Sequence, residues 1–159
     1  MKCPFGLNWI GIRVLGLILA GMSSAFAAAV GDRASPAGLW QPIDQRTGKP
    51  LGLIRIYEES GLFFGRIAPS SSSDGDSRRC SRCTDNRKDQ PIIGLVLMRN
   101  MRLRDGAYVG GDILDPDTGG IYGCKFRLAD GGRKLIMRGF IGISLFGRSQ
   151  TWQRVERDR

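Results

Sequence analysis

An all-β fold, a single antiparallel up-and-down barrel of about eight strands, is what this 159-residue chain predicts. Three observations carry that expectation. Between Trp40 and Val155 the apolar residues recur at period two or in short runs, the pattern of strands buried on one face. Turn chemistry separates the runs at Gln45–Gly48, Ser60-Gly61, Asp105-Gly106, Asp117–Gly120 and Asp130–Gly132, where Gly tolerates positive φ and Asp caps its own turn. Outside the N-terminal segment, no stretch sustains a helical period.

Residues 1–27 read as an export signal. Lys2 and Arg13 precede the uncharged, largely apolar run Val14–Met22, and Ala25-Phe26-Ala27 fits the small-residue cleavage rule. A membrane span needs about 20 apolar residues, roughly twice the run after Arg13. The predicted product is therefore a cleaved leader with no transmembrane span in the mature form. Cys3 lies on the wrong side of the apolar run for a lipoprotein signal. The expected location is the periplasm, or secretion beyond it.

The domain plan that follows is a leader at 1–27, a short lead at 28–37, a β domain at 38–155 and a tail at 156–159. One domain of this length buries a core without metal help. The whole chain carries a formal charge of +9. Losing Lys2 and Arg13 leaves 22 basic residues against 15 acidic ones, a net +7. Arginine dominates, and guanidinium pairs bidentately with carboxylate or phosphate. Anionic lipid, lipopolysaccharide or cell-wall polymer suit such a surface. Export and the lack of an aromatic-and-basic signature disfavour nucleic acid.

Strands are expected at Leu39–Ile43, Leu51–Tyr57, Leu62–Ala68, Ile92–Met98, Ala107–Leu114, Ile121–Leu128, Lys134–Phe140 and Arg148–Val155. Glycines at 65, 94, 110, 111, 123 and 139 suit the bends of a small barrel. In a closed sheet the last strand returns beside the first, which makes Trp40 and Arg154 the candidates to close the seam. Pro69–Pro91 interrupts the meander, with a serine run, mixed charge and two cysteines. A loop of that length is usually functional or mobile. At an open barrel mouth it would gate entry, with Arg78, Arg79, Arg82, Arg87 and Lys88 offered to an anionic head group.

Cys80-Ser-Arg-Cys83 is the most specific local motif. Zinc needs four ligands, and the mature chain has only Cys80, Cys83 and Cys124 with no histidine. A redox pair belongs at a helix start in a strand-helix-strand fold, whereas this one sits in a loop of a β protein. A short-range disulfide formed after export fits best, leaving Cys124 as a buried thiol. Catalysis finds no positive support: no histidine, no nucleophile elbow, no phosphate cradle, and carboxylates placed mainly in turns at Asp105, Asp115, Asp117 and Asp130. No cofactor or metal is expected. Arg55, Arg66, Arg127, Arg138, Arg148 and Arg154 lie in strand runs, and any that face the lumen could hold an anionic head group.

From Gly38 to Val155 the chain resembles the bacterial family known as domain of unknown function 2147. The likeness rests on Gly38-Leu39-Trp40, Thr47–Pro50, Gly61–Ile67, Cys80–Cys83, Lys88–Gly94, Gly111–Pro116, Gly119–Tyr122 and the long motif Gly139–Val155. It implies a secreted or periplasmic β domain with no assigned activity and no catalytic residues to carry over. More loosely, Gly38-Leu39-Trp40 with Arg154 is similar to the lipocalin pattern, in which a first-strand Gly-x-Trp is covered by an Arg from the last strand. The chain is short for a lipocalin and has no C-terminal helix after Val155. The functional expectation is a non-catalytic binding or envelope-interaction module for an apolar, amphipathic or anionic ligand. Its rivals are a thiol redox factor or enzyme using Cys80 and Cys83, and a purely structural envelope protein.

Overall fold

The computed structural model describes residues 34–70, 76–145 and 147–156. The leader, most of the lead, the segment 71–75 and the last three residues lie outside the described residues. Eight strands follow in chain order: β1 (Gly38–Pro42), β2 (Leu53–Glu59), β3 (Leu62–Ala68), β4 (Val96–Arg104), β5 (Ala107–Leu114), β6 (Ile121–Ala129), β7 (Lys134–Phe140) and β8 (Gly147–Val155). Each pairs antiparallel with its neighbour, and β8 pairs with β1, so the sheet closes into a barrel. Closure leaves no strand edge waiting for an outside partner, and the barrel is self-contained.

Period-two alternation is clearest where register is regular. In β2, Ile54 and Ile56 point inward between half-exposed neighbours, and in β7 Leu135 and Met137 do the same. At one end of the core Tyr108 stacks on Phe126 at 4.5 Å and meets Phe63 edge-on at 5.1 Å. That end is crossed by the tight turns Ser60-Gly61, Asp105-Gly106 and Asp130–Gly132. The longer loops, β1–β2, β3–β4, β5–β6 and β7–β8, gather at the other end.

The expected strand Ile92–Met98 is corrected to Val96–Arg104. Ile92 and Gly94 instead belong to the incoming turn, where Leu95 N–H bonds to Ile92 O and Gly94 N–H to Ile67 O. Two register shifts against β3 explain the miss. Each inserts one extra residue, so Leu97 and Met98 are both buried, and Met101 returns to the core after Asn100 at φ 59°. The polar run around Asn100, left outside the expected strand, is a bulged strand in space. A third shift in β5 falls at Gly110, φ 83°, beside Gly111, where a Cβ would collide with Arg99 O and Met101 Sδ. The expected β2 start at Leu51 moves to Leu53.

Candidate functional site

At its loop-rich end the barrel opens into a cavity of about 1150 Å³. Its walls come from the mouth-side ends of the strands. Ile54, Ile67, Leu97, Ile113, Met137 and Trp152 form an apolar floor. Polar residues of the rim surround it: Asp44 and Arg46 on the β1–β2 loop, Asp76 and Arg78 on the β3–β4 loop, and Arg148 and Gln150 on β8. Binding pockets of about 300–1,000 Å³ with an apolar lining and a few polar groups are the ordinary design for small molecules.

Most rim charges are already satisfied. Asp44 Oδ1 accepts from the backbone N–H of Arg46 (2.8 Å) and Thr47 (2.9 Å), which holds its carboxyl below the usual range. Asp115 caps its turn in the same way through Asp117 and Thr118. Asp76 takes a bidentate guanidinium from Arg78. Arg148 lines the mouth, and no ion pair found among the described residues engages it. Trp152 is fully buried on the floor with its Nε1–H on Gln150 Oε1 at 2.9 Å, so an indole reports directly on the cavity.

Of the described residues of the loop 69–91, Ser70, Asp76 and Arg78 line the cavity at this mouth. Residues 79–91 are packed. Cys80 and Cys83 are joined, with Cα atoms 5.4 Å apart, and both are buried. Cys80 Sγ lies 3.8 Å from Pro116 O, and Arg82 Nη1 donates to Asp117 O at 2.8 Å, so the loop is stitched to the β5–β6 loop. Gly119 permits this approach: at φ 77°, a Cβ there would run into the Arg82 carbonyl oxygen. Lys88 Nζ is bonded to Ser81 O, and Arg79 bridges to Pro91.

One expectation fails here. Arg87, read as charge offered to a ligand, is only 3% exposed. Its Nε and Nη2 grip the Asp85 carboxylate and its Nη1 donates to Val96 O at 3.1 Å. Arg99 completes the cluster with Asp85 at 3.4 Å and Asp112 at 3.2 Å, so two guanidinium groups meet two carboxylates. Hydrogen bonds from Arg87 pull the Asp85 carboxyl down to about 2. A buried arginine is retained only with such pairing. No sequence signal marked Arg87 as buried, because a local Asp85 partner is equally compatible with an exposed loop, and Arg99 and Asp112 join the cluster only through the fold.

Trp40 and Arg154 are brought together at the opposite end. They are direct partners across β1 and β8, and the guanidinium sits 4.4 Å from the indole centroid. Arg154 also donates from Nε to Gly132 O (2.7 Å), from Nη1 to Ala37 O (3.0 Å) and from Nη2 to Ser35 O (2.6 Å). Trp40 Nε1 donates to Pro36 O at 2.8 Å. The pair therefore ties the lead and a turn over the closed end. Burial pushes the Arg154 guanidinium below its ordinary value, with Glu156 opposing. Gly38, φ 145°, leaves the room that Arg154 Nη1 occupies.

Cys124 is buried against Met101, Sγ to Sδ 3.3 Å, and burial, with the Asp112 charge adding, pushes its thiol up to about 12. Among the other strand arginines, Arg66 lies over the Tyr57 ring on the outer face, at 5.3 Å. Among the described residues no helix is long and apolar enough to cross a membrane.

A closed eight-stranded antiparallel meander, sealed at one end by a Trp–Arg pair and open to a cavity at the other, defines a lipocalin-like barrel. The same architecture is found in a solved structure titled "Protein HP1028 from the human pathogen Helicobacter pylori belongs to the lipocalin family". The two superpose with a TM-score of 0.66 at 16% sequence identity, over 77% of this chain and 84% of that one. No curated protein matches the sequence. The chain belongs to the bacterial family described as "Uncharacterized protein conserved in bacteria (DUF2147)", which matches residues 38–154.

Proposed function

We propose that this protein is an exported, non-catalytic carrier whose barrel takes one amphipathic molecule, apolar body inward and anionic end at Arg148. The observation that carries the reading is the cavity itself, an apolar floor beneath a rim on which Arg148 has no ion-pair partner among the described residues. A purely structural protein has no use for such a space, and filling it with side chains would stabilise the barrel. The redox alternative is disfavoured by burial, since reactive thiol pairs sit partly exposed in electropositive surroundings while Cys80 and Cys83 are enclosed.

Export is part of the proposal and rests on the leader reading of residues 1–27. It fits the disulfide, which persists in oxidising compartments. Intact mass of protein recovered from the envelope fraction should correspond to a chain beginning at Ala28. A retained Met1 would remove the periplasmic assignment.

The binding test titrates the protein with a long-chain fatty acid and with the fatty alcohol of equal chain length, following the intrinsic tryptophan emission, in which the cavity-lining Trp152 is the residue expected to respond beside Trp40 at the seam. The acid should bind more tightly than the alcohol. Arg148→Gln should erase that preference, weakening the acid by about tenfold, the scale of one lost charge-assisted hydrogen bond of about 1.5 kcal/mol. Failure of both amphiphiles to perturb the tryptophan emission would exclude the carrier reading, and an unchanged preference in Arg148→Gln would exclude the head-group assignment.

A further inference from the structure

The end that opens to the cavity also carries an unusual apolar lip. Ile141, Ile143 and Leu145, between β7 and β8, are 72%, 62% and 74% exposed, and Ile121 and Leu51 are exposed on neighbouring rim segments. Scattered surface aliphatics need no explanation, but three within five residues form a patch. The loop that shows them is braced. Arg138 donates from Nε to Ser144 O (2.7 Å), from Nη2 to Leu145 O (2.9 Å) and from Nη1 to Ser149 Oγ (3.1 Å), while Lys125 Nζ reaches Ser144 Oγ at 3.2 Å.

The charges behind the lip point the same way. Lys125 and Arg138 are direct cross-strand partners, a like-charge pairing that destabilises a sheet. No ion pair found among the described residues gives Lys125, Arg138 or Arg148 a carboxylate. Of the carboxylates that line the same cavity, Asp44 and Asp115 are turned into their own turns, Asp76 is paired with Arg78, and Asp117 forms no ion pair with these cations among the described residues. An exposed aliphatic tip is thus backed by cations that lack anions.

We propose that the β7–β8 hairpin is an interfacial membrane anchor that sets the cavity mouth against a leaflet containing anionic lipid. Aliphatic side chains enter the boundary between head groups and acyl chains, while lysine and arginine remain at the level of the phosphates. A protein groove is the competing occupant. Stable protein interfaces bury roughly 1,200–2,000 Å², more than three side chains on one narrow loop supply, whereas a bilayer accepts a tip of any width. This inference is read from vesicle binding alone and stands whether or not the cavity holds a fatty acid.

The experiment floats the leaderless protein with vesicles of phosphatidylcholine alone and of phosphatidylcholine with phosphatidylglycerol. Binding should favour the anionic vesicles and fall as salt is raised. Ile141→Ser, Ile143→Ser and Leu145→Ser combined should weaken it by at least about tenfold. Leu103→Ser, an exposed leucine near the β4–β5 turn at the closed end, should change nothing. Ile143→Cys can carry a polarity-sensitive dye, because Cys80 and Cys83 are bonded and Cys124 is buried, and its emission should shift to the blue on anionic vesicles. Wild-type protein that stays in the aqueous fraction, or a triple variant that floats as well as wild type, overturns the anchor. Equal flotation with both vesicle types overturns the anionic-lipid assignment.

Discussion

Asp85 shows how a single carboxylate binds a long loop to the barrel. Its bonds to Arg87, and its approach to Arg99, neutralise a buried guanidinium whose other carboxylate, Asp112, stands off at 4.0 Å. With its pKa lowered from 3.8 to about 2 in the folded protein, Asp85 gives up its proton more readily folded than unfolded. Its contribution is therefore full above the unfolded value and is lost as pH falls from about 4 toward 2. We expect this to be on the order of 1 kcal/mol, since the carboxylate is partly solvated. Urea midpoints measured across that window should fall in wild type and be flatter in Asp85→Asn, which should also be the weaker protein at pH 7. A parallel decline in both would mean that other carboxylates govern acid sensitivity.

Loop packing is decided at the level of elements. The β3–β4 and β5–β6 loops meet through Arg82 on Asp117 O and Cys80 against Pro116, at a distance that only glycine at position 119 allows. Gly119→Ala should cost about 1–3 kcal/mol, because it combines a positive φ with a backbone clash. It should also expose the Cys80–Cys83 bond, so reduction by a small thiol should quicken. Gly106→Ala is the matched control: φ is 78° there, but no atom lies within reach of the added methyl. It should cost only about 1 kcal/mol and leave the reduction rate alone. Equal reduction rates in the two variants would show that the loops are not coupled.

Closure is a property of the whole barrel, and it depends on the end opposite the loop-rich mouth. Trp40 fills that end and Arg154 ties three backbone carbonyls over it. Trp40→Ala should destabilise by about 3–5 kcal/mol, the usual range for a buried tryptophan. Arg154→Lys keeps the charge but cannot reproduce the planar fork, so it should still lose about 2 kcal/mol. Arg104→Ala, at an exposed strand end, should stay within about 0.5 kcal/mol of wild type. Denaturation midpoints that rank these variants otherwise would refute a seam held by the indole and the guanidinium.

The sequence alone determined the all-β class, seven of the eight strands to within about two residues, and the neighbourhood of Trp40 and Arg154. These rest on local signals: alternation, turn residues, and the requirement that a closed sheet join its last strand to its first. The extent of β4 was illegible because its bulges at Leu97 and Asn100 break the alternation by which a strand is recognised. The fate of Arg87 was illegible because Asp85, two residues away, is a partner an exposed loop could equally offer, whereas burial of the pair depends on Arg99 and Asp112, which the fold brings in from β4 and β5. The open cavity and the braced lip were likewise settled only in three dimensions. Periodicity says which residues face inward, but whether they fill the lumen depends on how eight strands and four loops pack around it.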